Sequence, residues 1–117
     1  MFTGQASDAM ELYAATFPQF HVESVERDGA ERRIKIARAS LCGHALIVID
    51  SPAHHDFTFT PSVSLFVECE SAEELERAFA TLSDGGKVFM PLDDYGFSAR
   101  FGWCSDRFGM SWQLNLA

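Results

Sequence analysis

Apolar positions along this chain recur with two different periods, and the change from one to the other marks the elements. Ala6, Met10, Tyr13 and Phe17 fall at spacings of four, three and four, which draws one buried stripe along a helix of about residues 6–16, closed by Pro18. A second helix is predicted to open at Ser71-Ala72-Glu73-Glu74, a capping box, with Leu75, Ala78, Phe79 and Leu82 as its buried face and Gly85-Gly86 at its end. Elsewhere the period drops to two. In the stretch from Met110 the residues Met110, Trp112 and Leu114 are apolar and Ser111, Gln113 and Asn115 polar, the signature of a strand with one buried face.

The two helices superpose at an offset of 65: Met10 falls on Leu75, and Ala15-Thr16-Phe17 on Ala80-Thr81-Leu82. Further on, Gly43 falls on Gly109 at an offset of 66, with a strand after each. Each half therefore reads as strand, helix and three strands. In the first half these are residues 1–4, the helix, 21–27, 32–41 and 44–50. In the second they are 63–69, the helix, 87–92, 97–104 and 110–116. Residues 51–61, with Pro52, His54, His55 and Pro61, have linker composition. The expectation is one α+β domain over 1–117: repeat one at 1–50, a linker at 51–61 and repeat two at 62–117. Two βαβββ repeats of this kind pair into a cupped, barrel-like mixed sheet with the helices outside.

Composition narrows the function. At 47% hydrophobic the chain is globular, and no run nears the roughly 18 apolar residues of a membrane helix. The net charge of −8 argues against a nucleic-acid partner. Arg27, Arg32, Arg33, Lys35 and Arg38 do cluster, but Glu26, Asp28 and Glu31 lie among them, as in a solvated hairpin. Glu68, Glu70, Glu73, Glu74 and Glu76 bracket a helix start, where negative charge is favourable. Cys42, Cys69 and Cys104 follow no metal or disulfide spacing and read as buried thiols in a reducing compartment. With no export signal at the N-terminus, a cytoplasmic location is expected.

Three stretches carry a family likeness: "GQASDAMELYAATFP" (4–18), "SLFVECESAEELERAFATLSDGGKVFMPL" (64–92) and "RFGWCSDRFGMSWQL" (100–114). With the signature Asp106-x-Phe108-Gly109-x-x-Trp112, they resemble the vicinal-oxygen-chelate superfamily of glyoxalase I, extradiol dioxygenases and bleomycin-resistance proteins. The closer likeness is to its PhnB-like branch, often labelled demethylubiquinone methyltransferase-like. A genuine methyltransferase is not expected, since no glycine-rich strand-to-helix turn within a parallel sheet is visible. The resemblance implies four cup-facing metal-ligand positions. They fall on Gln113 (where relatives have Glu), on its repeat partner Ile47, on Ser62, and on a place before Met1. An amide, an isoleucine and a hydroxyl make a poor set for a divalent ion, so neither metal nor other cofactor is expected. His54-His55-Asp56 is read as solvated linker.

The cup-facing parity then gives Ala45, Ile47 and Ile49 from the first half, and Ser62, Ser64, Phe66, Ser111, Gln113 and Asn115 from the second. Such a lining suits a small, partly apolar organic ligand fixed by a few hydrogen bonds. Arg100 is either a partner for an anionic ligand group or one end of a salt bridge to Asp93, Asp94 or Asp106. Three functions stay open: a metal-free small-molecule binder, a superfamily enzyme of isomerase, lyase or dioxygenase type, and an interaction module whose cup is filled. A homodimer is implied by the resemblance.

Overall fold

Why each helix stops and starts where it does is visible in a computed structural model, which describes residues 1–29 and 33–117. The contacts divide it into two units, residues 1–58 and 59–117. In the first, helix α1 (Ala6–Thr16) is followed by strands β1 (Phe20–Asp28), β2 (Arg33–Leu41) and β3 (His44–Val48), antiparallel in that order. In the second, β4 (Ser64–Glu68) leads into α2 (Ala72–Ser83), then β5 (Lys87–Asp93), β6 (Arg100–Ser105) and β7 (Ser111–Leu116). Its sheet order is β4-β7-β6-β5, with β4 parallel to β7 and the other pairs antiparallel.

In the first unit α1 buries Ala6, Ala9, Met10 and Tyr13 and packs on β1 and β2. Beneath it, β2 buries Ala37, Ala39 and Leu41. Ile34 is also fully buried although its parity is opposite, because a bulge at Lys35 shifts the register and turns it back to the same side. Gln5, at the N-cap, offers no side-chain hydrogen bond. The buried carboxylate of Asp50 caps the helix instead, from far along the chain. Its Oδ1 accepts from the Gly4 and Ala6 amides at 2.9 and 3.0 Å, and its Oδ2 from the Ile34 amide at 2.9 Å. One group thus ties the helix N-terminus to β2 and adds a negative charge where the helix dipole favours it.

The expected first strand over residues 1–4 is reduced to a single parallel bridge, Phe2 to Asp50, because the chain turns at once into α1. Residue 32, expected to begin β2, lies outside the described residues together with 30 and 31. Around them the charge-mixed hairpin forms ion pairs Arg33–Asp28 and Lys35–Glu26, at 3.5 and 3.7 Å. Cys42 is exposed, not buried as expected. It sits with Gly43 in a two-residue turn joining β2 to β3, both with positive φ, so its side chain points away from the core.

In the second unit half of the expected capping box forms: Ser71 Oγ accepts from the Glu74 amide, while the Glu74 carboxylate accepts from the Glu70 amide, one residue before the cap, in place of the Ser71 amide. Leu75, Ala78, Phe79 and Leu82 are buried against the sheet. There they meet Trp112, Leu114 and Cys104, all fully enclosed, and Gly102, where a side chain would collide with the Phe79 ring. β6 begins at Arg100, three residues later than expected. Asp94 Oδ1 accepts from the Gly96 amide and folds the preceding segment into bends, which removes Phe97, Ser98 and Ala99 from the strand.

Asp106 explains the Asp-x-Phe-Gly signature. Only 2% exposed, it accepts from the Phe108 and Met110 amides through Oδ1 and from the Trp112 indole N–H through Oδ2 at 3.0 Å. The turn into β7 is thereby fixed, and with it the register of every β7 side chain. No described helix is long and apolar enough to cross a membrane.

Candidate functional site

Since Trp112 and Leu114 point at α2, the alternate residues of β7 must face the other way. The registers of β4 and β6 against β7 turn that face into a grid. Ser111 lies between Ser64 and Ser105, Gln113 between Phe66 and Trp103, and Asn115 between Glu68 and Phe101. Each row is one residue from each strand, strands about 4.8 Å apart, and rows are about 6.7 Å apart.

The first row is internally satisfied. Ser64 Oγ and Ser111 Oγ lie 2.6 Å apart, and the Trp103 indole N–H donates to Ser111 Oγ at 2.8 Å. In the second row the Gln113 amide is half-buried and, among the described residues, held by no hydrogen bond, while Phe66 beside it is 52% exposed. In the third, Asn115 Nδ2 donates to Glu68 Oε2 at 2.9 Å. Aromatic rings border the grid: Phe101 meets Phe66, Phe97 and Tyr95 with centroids 6.2, 5.0 and 6.1 Å apart, and Trp103 meets Phe89 at 4.9 Å. Polar groups therefore form the floor and aromatic faces the surround.

Not every expected site residue lies on this face. Ser62 precedes β4 in an exposed turn and pairs with Thr60, its Oγ 2.9 Å from Thr60 Oγ1. Ile47 belongs to the first unit, where it is exposed on the sheet face opposite Ala37 and Ala39. Arg100 has the parity of Gly102 and Cys104, the α2 side, and pairs with Glu76 of that helix. It therefore does not share a face with Gln113, and its partner is none of Asp93, Asp94 or Asp106. His54 and His55 do not converge: His55 Nε2 is 2.9 Å from Ser51 Oγ and its ring stacks on Phe57, while His54 is exposed beside Asp56. Trp103, Glu68 and Phe89 escaped the sequence reading as parts of this face. The alternation of β6 carried the signal for Trp103, but only the β6–β7 register sets it beside Gln113.

The donors do not fit a divalent cation. The Ser64 and Ser111 hydroxyls satisfy one another, Gln113 is a neutral amide flanked in register by Phe66 and Trp103, and the Glu68 carboxylate already accepts from Asn115. Among the described residues no three His, Cys, Asp or Glu side chains gather as a metal site. Nor does Cys104 offer a nucleophile: burial, and then the Asp106 carboxylate, push its thiol up to about 12, so it stays protonated near neutral pH.

Comparison with known proteins bears on the family and the fold. The family model described as 3-demethylubiquinone-9 3-methyltransferase matches residues 1–115. Among solved structures, the PhnB protein from Bacillus cereus is 42% identical, with a TM-score of 0.95 over 100% of this chain and 95% of its own. Protein PA1353 from Pseudomonas aeruginosa is 29% identical, with a TM-score of 0.85 over 98% and 91%. A glyoxalase/bleomycin resistance protein/dioxygenase from Nocardioides, 22% identical with a TM-score of 0.60 over 99% and 78%, shares the fold alone. Proteins with curated descriptions gave no match.

Proposed function

The chain belongs to the 3-demethylubiquinone-9 3-methyltransferase family and has the glyoxalase/bleomycin-resistance fold, and from that premise we propose that it binds a small, partly apolar organic molecule, without a metal, on the face of β4, β7 and β6 turned away from α2. One observation carries this reading: the Gln113 amide has no hydrogen bond among the described residues, and its neighbours in the flanking strands are the aromatic residues Phe66 and Trp103. An amide left available beside apolar walls is what a pocket uses to orient a ligand. Methyl transfer finds no support in the strand-to-helix turn of the second unit. That turn is Cys69-Glu70-Ser71, without glycine, and the α2 N-terminus is occupied by its own Ser71 and Glu74.

Calorimetric titration with amphiphilic fragments, aromatic and alicyclic alcohols among them, tests the reading. Binding of at least one class is expected. Gln113→Leu should weaken it about fivefold, the worth of one hydrogen bond, with the urea midpoint unchanged. No binding by any fragment, or binding that Gln113→Leu leaves untouched, would overturn it.

A homodimer is supported by the first unit. Among the described residues β1 is paired along one edge only, and an open groove of about 240 Å³ beside it is lined by Met10, Ala14, Val22 and Val25, with Glu11 and Arg27 also in the lining. Val22 and Val25 are more than 40% exposed. Sedimentation should give a dimer that Val25→Glu dissociates. A monomer at every concentration, or a dimer indifferent to Val25→Glu, contradicts it.

A further inference from the structure

Asn115 stands one row from Gln113 on the same face and presents something Gln113 does not. Its Nδ2 donates to the Glu68 carboxylate, which settles the orientation of the amide, because turning it over would set carbonyl oxygen against carboxylate oxygen. The Oδ1 atom is then left buried and without a hydrogen-bond partner, in a side chain only 7% exposed. Such an oxygen is a standing cost until a donor reaches it.

The rings above it explain how a donor arrives. Phe66 and Phe101 stand on strands that flank β7, two strand spacings or about 9.6 Å apart. Their centroids are nevertheless 6.2 Å apart and nearly parallel, at 30°. Both rings therefore lean inward over the β7 residues Gln113 and Asn115. Phe101 is buried and braced by Phe97 and Tyr95, whereas Phe66 is half in solvent, so Phe66 is the ring that moves.

We propose that the site takes a planar aromatic ring bearing an O–H or N–H donor on its edge, a phenol or a heteroaryl N–H. The ring inserts against Phe101 as Phe66 swings aside and closes on it, and the edge donor reaches Asn115 Oδ1. This rests on the binding reading above and adds to it the chemical class of the ligand.

Three probes of similar size separate the parts: p-cresol has aromatic ring and donor, 4-methylanisole the aromatic ring without the donor, and 4-methylcyclohexanol the donor without the aromatic ring. In calorimetric or NMR titrations p-cresol is expected to bind at least fivefold more tightly than either of the others. Asn115→Leu should abolish its advantage over 4-methylanisole, and Phe66→Ala its advantage over 4-methylcyclohexanol. Should Asn115→Leu fold poorly, the Asn115 side-chain NH2 resonances of the unaltered protein report the same contact: at saturation p-cresol should shift them further than 4-methylanisole, which supplies the ring current without the hydrogen bond, and equal shifts would overturn the inference. Equal binding of all three probes, or a preference for p-cresol that survives Asn115→Leu, overturns this inference while the binding reading stands. If no probe and no fragment of the wider panel binds, both fall.

Discussion

Asp50→Ala is expected to lower the unfolding free energy by about 3 kcal/mol, because it strands three backbone N–H groups at once. The carboxylate serves Gly4 and Ala6 at the start of α1 and Ile34 in β2, all within 3.0 Å, and is only 6% exposed. Hydrogen bonds to a charged acceptor contribute roughly 1.5–3 kcal/mol each, and the desolvation of the carboxylate offsets a good part of that sum. Gln5 supplies no replacement cap. Asp50→Asn keeps the shape and one acceptor oxygen but turns an NH2 towards a donor, so about half the loss is expected. Urea titration gives the free energies, and amide exchange at Gly4, Ala6 and Ile34 locates the damage. An alanine variant within about 0.5 kcal/mol of the parent would show that the three contacts contribute nothing net.

Gly86→Ala is expected to cost more than 3 kcal/mol, above the usual 1–3 kcal/mol range for overpacking. A methyl group there would lie 1.9 Å from the Ser105 carbonyl oxygen and under 3 Å from two further backbone carbons. No rotamer change relieves a clash with backbone, so the start of β5 must part from the end of β6, where Lys87 pairs with Ser105. Gly102→Ala is the control. Its methyl would meet the Phe79 ring at 2.6 Å and the end of Leu92 at 2.7 Å, and side chains yield. A cost of about 1–2 kcal/mol is expected there. Equal urea midpoints for the two variants would contradict the distinction between backbone and side-chain collisions.

Local patterns were the legible part of this fold. Both helices could be read because their apolar spacing, Pro18 and the Ser71 cap are written in adjacent residues. Alternation likewise sorted β7 and β4 into a face turned to α2 and a face turned away from it, placing Ser64, Phe66, Ser111, Gln113 and Asn115 together. What failed to show depends on partners distant in sequence. The capping of α1 by Asp50 spans more than forty residues, and nothing near Gln5 announces it. Arg100 was legible as a cation but not as the partner of Glu76, twenty-four residues away on α2. β6 reads too long in the sequence because Phe97 and Ala99 keep a strand's alternation while Asp94 bends the backbone beneath them. At the site itself, residue types were readable but the lean of Phe66 towards Phe101 was not, since it arises from a register between three strands.

The position of β7 inside its sheet has a consequence for biosynthesis. Among the described residues β4 pairs with β7 alone, and the ribosome delivers Ser64 forty-seven residues before Ser111. During that interval the nascent chain carries Leu65 and Val67 on a strand that nothing pairs, followed by the greasy stripe of α2 with no sheet to cover it. Early termination anywhere before Ser111 therefore releases a sticky, incomplete product, a natural client for chaperones and proteases, whereas α1 and β1 to β3 have all emerged by Val48.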